Sequence, residues 1–297
     1  MLGHASHVVV VVDGATHAID TTISFPASPY GVCYDSTDDR VYVATRADST
    51  VRAIDCASNT IVATIPVGPS PNKLCWNSRE NKVYTATSDG NDSTVSVIDC
   101  ASNTVVATVS TGAYPGAVGY DPTESRVYVC NKSGRSISVV DGVTNAVVAD
   151  IPTTAGPEAA CAAPQYSHVF CAMGNDSVLV LDVTTNFVIA RFAVGRRPST
   201  LLYNPISSRM YSTDYNGATV SIMRGSAIGI VETPGHTAVA EPAPTVISCA
   251  RLLVEMKKSN LLLFDPTGRA IDDPRHVSPG VLLLRTATTS RKVIVTE

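Results

Sequence analysis

Charge is what this chain has least of. Only 16% of its 297 residues are charged, with 22 Lys and Arg against 26 Asp and Glu, a formal net charge of −4 and a pI near 5.9. No dense Lys/Arg block occurs, and polyanion binders leave a basic face because their affinity comes from releasing counterions, which argues against nucleic acid or anionic lipid as the main partner. No window reaches 18 apolar residues, so no transmembrane segment is expected. The opening Met1-Leu2-Gly3-His4 lacks the basic region and apolar stretch of a secretory leader. The five valines of Val8–Val12 run straight into a turn and read as a strand. Eight cysteines include no C-x-x-C pair, and no His stands at ligand spacing from one, which argues against zinc. Neither C-x-x-C-H nor G-x-S-x-G is present, which excludes covalent haem and a serine nucleophile elbow.

What is present is a repeat. RVYVATRADSTVRAID from Arg40, KVYTATSDGNDSTVSVID from Lys82, RVYVCNKSGRSISVVD from Arg126, HVFCAMGNDSVLVLD from His168 and RMYSTDYNGATVSIM from Arg209 align by eye. The closing acid falls at Asp13, Asp55, Asp99, Asp141 and Asp182, at intervals of 42, 44, 42 and 41, and Met223 continues the series without the acid. Each unit resolves into four short strands, here called A to D: residues 30–34, 40–45, 50–54 and 60–67 in the first full copy. They are rich in Val, Ile, Thr and Tyr, and Asp, Asn, Ser, Gly and Pro fill the gaps. The acids of the A–B and C–D turns read as turn formers, because Asp and Asn side chains bond nearby backbone amides and tolerate left-handed conformations. Cys33, Cys75 and Cys161 share one repeat position and Cys56 and Cys100 another, so they read as small buried hydrophobes.

Four antiparallel strands in radial repetition make a propeller blade, so the fold class is all-β, with strand A innermost. Residues 8–12 and 17–25 supply strands C and D of a first, half blade; five full blades follow, ending near Val231. The A and B strands of the first blade are not found after Gly235, and residues upstream of Met1 are expected to supply them. The domains expected are a propeller over 1–235, a Pro-rich linker over 236–244 and a small β-sandwich over 245–297.

The units resemble the YVTN family of β-propeller repeats over about residues 7–231, through strands like RVYVA at 40–44 and TVSVID at 94–99 and the run that ends in Gly68. Members of that family are mostly secreted or surface proteins of bacteria and archaea. Asp265, Gly268 and Arg269, then Pro279, Gly280 and Arg285, then Lys292, resemble the C-terminal sorting domain of type IX secretion substrates, with Leu282 departing from the usual Tyr. That resemblance implies export, engagement of the secretion machinery, and a place outside the cell or on the outer-membrane surface, with a signal peptide among residues missing upstream.

Propellers place function where D–A and B–C loops converge. The D–A loops carry Pro29, Tyr30, Asn72, Lys73, Tyr114, Glu158, Arg196 and Arg197; the B–C loops carry Arg46, Asn131, Lys132, Met173, Asp214 and Tyr215. Mixed Tyr, Arg and Asn content suits a surface for a protein, glycan or surface polymer. The alternative is a hydrolase of lactonase type, which would need a metal held by several acids and amides around the channel. Glu158 is the one acid among those D–A loop residues, so no catalytic residue, metal or cofactor is expected.

Overall fold

The computed structural model describes residues 7–87, 89 and 93–224, and the backbone alone of the strands at 2–3, 231–232, 245–248, 262–264, 270–271, 280–285 and 290–296. The chain divides into two compact units, Met1–Pro234 and Gly235–Glu297.

The first unit is a β-propeller of successive antiparallel sheets. The first sheet holds β1 (Leu2–Gly3), β2 (Val8–Val12) and β3 (Ile19–Ser24). The second holds β4 (Pro29–Asp35), β5 (Arg40–Thr45), β6 (Thr50–Asp55) and β7 (Thr60–Pro66). The third holds β8 (Pro71–Asn77), β9 (Lys82–Thr87), β10 (Thr94–Asp99) and β11 (Thr104–Ser110). The fourth holds β12 (Pro115–Asp121), β13 (Arg126–Asn131), β14 (Ser136–Asp141) and β15 (Val147–Pro152). The fifth holds β16 (Pro157–Ala163), β17 (His168–Met173), β18 (Ser177–Asp182) and β19 (Val188–Ala193). The sixth holds β20 (Pro198–Asn204), β21 (Arg209–Asp214), β22 (Thr219–Arg224) and β23 (Val231–Glu232); there Arg224 pairs with Arg209 as Asp55 does with Arg40, so Arg224 and not Met223 stands at the place of the closing acid. Five sheets are therefore full four-stranded blades. The first differs from the expected half blade, because β1 pairs with β2 and takes the B position.

Strand A of each full blade packs beside strand A of the next, from β4 through β8, β12 and β16 to β20, which makes A the innermost strand. Its composition permits this, since residues such as Gly116, Ala117, Ala159 and Ala160 leave room where neighbouring backbones crowd. The core lies between blades. Tyr42, Ala44 and Val51 of the second blade pack with Leu74, Val83 and Ile98 of the third. Tyr84 and Val95 of the third pack with Val118 and Val129 of the fourth, and the series continues to the sixth. Burying each large side chain contributes about 2 kcal/mol.

Polar staples reinforce these junctions. The Tyr42 hydroxyl donates to Asn103 Oδ1 at 3.0 Å, Tyr84 to Asn145 Oδ1 at 3.0 Å and Tyr128 to Asn186 Oδ1 at 3.4 Å, each acceptor lying in the C–D turn of the following blade. Arg40, Lys82 and Arg126 reach backbone carbonyls of the same turns. The acceptors Asn103, Asn145 and Asn186 all have φ between 54° and 58°, a conformation Asn tolerates better than most residues. At the other end of the blades, the Gly68 N–H donates to Ser96 Oγ at 3.1 Å and the Gly195 N–H to Ser221 Oγ at 3.0 Å, each joining the end of a strand D to the next blade. A Cβ on Gly68 would stand 2.6 Å from Thr87 Cγ2, so any other residue there forces a neighbour to shift.

In the second unit the described strands are β24 (Thr245–Ser248), β25 (Leu262–Phe264), β26 (Ala270–Ile271), β27 (Gly280–Arg285) and β28 (Ser290–Thr296), in one sheet ordered β24-β28-β27-β25-β26. The rest of the expected sandwich, and the linker expected over 236–244, lie outside the described residues.

Candidate binding face

Antiparallel order sets A–B and C–D turns at one end of each blade, and B–C and D–A connections at the other. The acids at the first end are turn formers. Asp55 Oδ1 accepts from the Ser58 N–H and hydroxyl at 2.8 and 2.7 Å, and Asp99, Asp141 and Asp182 repeat the arrangement with Ser102, Thr144 and Thr185. These bonds favour the ionised form and hold all four carboxyls below the usual carboxylate range.

At the second end, loop side chains meet in pairs. The Arg46 guanidinium lies 4.9 Å from the centre of the Tyr30 ring, so a B–C connection reaches the start of strand A in the same blade. Tyr30, Asn72, Lys73 and Glu158, expected in D–A loops, lie in the first residues of strand A, where the register with strand B shifts. In the sixth blade the Arg197 guanidinium lies 5.4 Å from the centre of the Tyr215 ring. There the backbone is tied as well: Tyr215 N–H donates to Arg197 O at 2.9 Å, and Asn216 N–H to Arg196 O at 3.1 Å. Arg197 takes φ 56°, and its N–H donates to Asp176 Oδ1 at 2.8 Å. Between the fourth and fifth blades, Lys132 Nζ pairs with Glu158 at 2.8 Å; within the fourth blade, the Lys132 N–H donates to Tyr114 O at 2.9 Å. Arg196, Arg197 and Tyr215 are exposed, while Tyr114, Lys73 and Asn72 are half-buried.

Three expected surface residues are corrected. Asn131, Met173 and Asp214 end their B strands with side chains turned inward and fully buried or nearly so. Asn131 lies 3.0 and 2.8 Å from the hydroxyls of Ser136 and Ser138, and Asp214 accepts from Ser212, Thr219 and Ser221. The end of strand B points at the next strand of its own blade, so polar residues there close the blade rather than meet solvent. Of the residues matched to a sorting motif, Gly280 and Arg285 bound β27, and Lys292 pairs with Leu283 across β28 and β27. Asp265, Gly268, Arg269 and Pro279 lie outside the described residues.

Arg52 was not singled out from the sequence. It is buried and bonds Asp48 and Thr45, with its guanidinium 5.8 Å from the Phe25 ring centre. The available signal was a departure from the repeat: Ser96, Ser138 and Ser221 stand at the same place in other units. Burial pushes the Cys100 and Cys130 thiols up to about 12, and Cys33 and Cys171 well above their ordinary value. Such thiols stay protonated near neutrality and make poor nucleophiles or metal ligands. Among the described residues, no group of three or more His, Cys, Asp or Glu is placed to hold a metal, and no helix is long and apolar enough to cross a membrane.

Two similar solved structures are β-propellers. The hydrazine synthase of Kuenenia stuttgartiensis is 15% identical with a TM-score of 0.52, over 75% of this chain and 91% of that one. A chain of the mitotic checkpoint complex is 14% identical with a TM-score of 0.64, over 71% of this chain and 67% of that one. At such identities the likeness establishes the fold alone. No family model matches the chain, and neither does any curated protein.

Proposed function

We propose that this chain is a non-catalytic binding module whose partner, a protein, glycan or surface polymer, sits on the face formed by D–A and B–C connections. One observation carries the reading: aromatic and basic side chains at this end of the blades meet in the pairs Tyr30–Arg46 and Tyr215–Arg197. Stacked guanidinium and aromatic groups combine contact area with directional donors, the chemistry concentrated at binding hot spots. Glu158, the one acid expected among the D–A residues, is engaged by Lys132. The repeat's resemblance to YVTN units, and the tail's to type IX sorting domains, support export to the cell surface.

The test replaces Arg196 and Arg197 by Ala and measures binding to a fixed panel of glycans, surface polymers and proteins. Loss of binding of about tenfold or more with an unchanged melting curve is the expected result, since exposed loop changes leave stability nearly intact. Unchanged binding, or metal-dependent turnover of a lactone or ester by the full chain, overturns the reading. Export is tested separately by fusing residues 245–297 to a reporter in a host that carries the secretion system.

A further inference from the structure

Each full blade opens strand A on a proline, at Pro29, Pro71, Pro115, Pro157 and Pro198, and in each the register with strand B shifts just after it. The second residue of strand A is therefore a bulge, which re-aims its side chain off the ladder. The residues so placed are Tyr30, Asn72 (with Lys73 after it), Gly116, Glu158 and Ser199. In the second blade Tyr30 meets Arg46, the residue that follows strand B of the same blade. The fourth blade has Lys132 at the place of Arg46 and Gly116 at the place of Tyr30, so Lys132 finds no bulge side chain in its own blade. Its stem instead passes Gly156, where a Cβ would stand 3.2 Å from Lys132 Cγ. Its ammonium reaches both oxygens of Glu158 in the fifth blade, at 2.8 and 2.9 Å.

That detour leaves a slot. A Cβ built on Gly116 would meet nothing within 4 Å among the described residues. Strands A pack side by side in chain order, so Glu158 and Lys132 flank the slot on the fifth-blade side and Asn72 and Lys73 on the third-blade side. The thiol of Cys130, paired with Ala117 next to Gly116, feels both walls: burial raises it most, the Glu158 charge raises it further, and the Lys73 charge lowers it. Among the described residues the Lys73 ammonium has no ion pair or hydrogen bond. The Asn72 amide makes no hydrogen bond there either, and its Oδ1 is buried, which leaves the Nδ2 donors as the end on offer. Lys73 and Lys132 against Glu158 give the slot one positive charge in excess.

We infer that this slot takes a sugar acid, one uronic acid unit of a glycan, with its carboxylate against Lys73 and the Asn72 amide, a ring hydroxyl donating to Glu158, and the ring lying over Gly116. Ammonium–carboxylate hydrogen bonds are charge-assisted and about twice as strong as neutral ones. Glu158, ionised, only accepts, so the ligand has to bring a donor as well as an anion. A sugar acid carries both on one ring, whereas the carboxylate of an acidic peptide side chain brings no hydroxyl to Glu158. One slot reads one carboxylate, which needs no Lys/Arg block. The inference rests on the loop-face reading and gives the partner there its chemistry.

Titration calorimetry of the full chain with tri-galacturonate tests this, with its methyl ester and a tri-glutamate peptide as controls. The wild type is expected to bind the acid and to bind the ester and the peptide at least about tenfold more weakly. Lys73→Ala and Gly116→Val are each expected to weaken binding of the acid at least about tenfold, the first by removing the cation and the second by filling the slot. Melting curves check folding; valine suits a strand and enters open space at Gly116. Should Gly116→Val not fold, Gly116→Ser takes its place. No binding of the acid by the wild type overturns the inference, and so does equal binding of the peptide or wild-type affinity in either variant. Arg196→Ala with Arg197→Ala, on the sixth blade, keeps the two readings apart. A panel ligand lost by that variant and kept by Lys73→Ala leaves the loop face standing and removes the slot.

Discussion

The Tyr84 hydroxyl lies 3.0 Å from Oδ1 of Asn145, joining strand B of the third blade to a turn of the fourth. Tyr84 is fully buried, and its hydroxyl also lies 3.3 Å from the Gly142 carbonyl. Replacing it by Phe keeps the ring packed and leaves these acceptors short of a donor. Tyr84→Phe is expected to cost about 1 kcal/mol in urea unfolding. Tyr84→Phe combined with Asn145→Ala is expected to cost less than the two changes summed, because both remove the same bond.

The glycine at the end of strand D offers a second check. Gly68→Ala places a methyl group 2.6 Å from Thr87 Cγ2, and Thr87 is buried with its hydroxyl bonded to Thr94 O. Overpacking of this kind costs about 1–3 kcal/mol. Urea denaturation of the variant reads the loss directly, and an unchanged midpoint would show that the crossing has slack.

The blades, their order and their strand boundaries were legible in the sequence, because a period near 42 residues and the turn pattern Asp-x-x-x-Asn repeat the same local physics in successive copies. The loop face was legible only in part. Tyr30, Arg46, Arg197 and Tyr215 follow from strand order, but Asn131 and Asp214 sit at strand ends where one residue of register decides between solvent and interior. Nothing in the repeat pattern announces that Arg46 reaches Tyr30 or that Lys132 reaches Glu158, since those meetings join residues of separate elements.

Acid is expected to loosen the turns. Serine and threonine hydroxyls and backbone amides hold the carboxyls of Asp99 and Asp141 below the usual range, so folding favours their ionised form. Their stabilising effect is fully present above the unfolded value of about 3.9 and is lost as pH falls through the lower folded values. The melting temperature should therefore drop below about pH 4. A variant with Asp99→Asn and Asp141→Asn should show a shallower acid limb than the wild type.

The fifth-to-sixth junction lacks the Tyr–Asn staple, and His168 Nδ1 and the Tyr203 hydroxyl are buried there without a hydrogen-bond partner among the described residues. Native-state hydrogen exchange should find β20 to β22 opening before β8 to β14, where staples are present. Protection of β20 to β22 equal to that of the third and fourth blades would show that apolar packing alone sets the order.

The loop face is tested most directly by comparing two variants of the full chain against the same immobilised panel of glycans, surface polymers and proteins. One carries Arg196→Ala, Arg197→Ala and Tyr215→Ala on the loop face; the other carries Asp38→Ala and Asp39→Ala in an A–B turn at the opposite end. The account predicts at least about tenfold weaker binding of a panel ligand by the first variant, and wild-type binding of that ligand by the second. Equal binding by both variants, or loss confined to the turn variant, would contradict it.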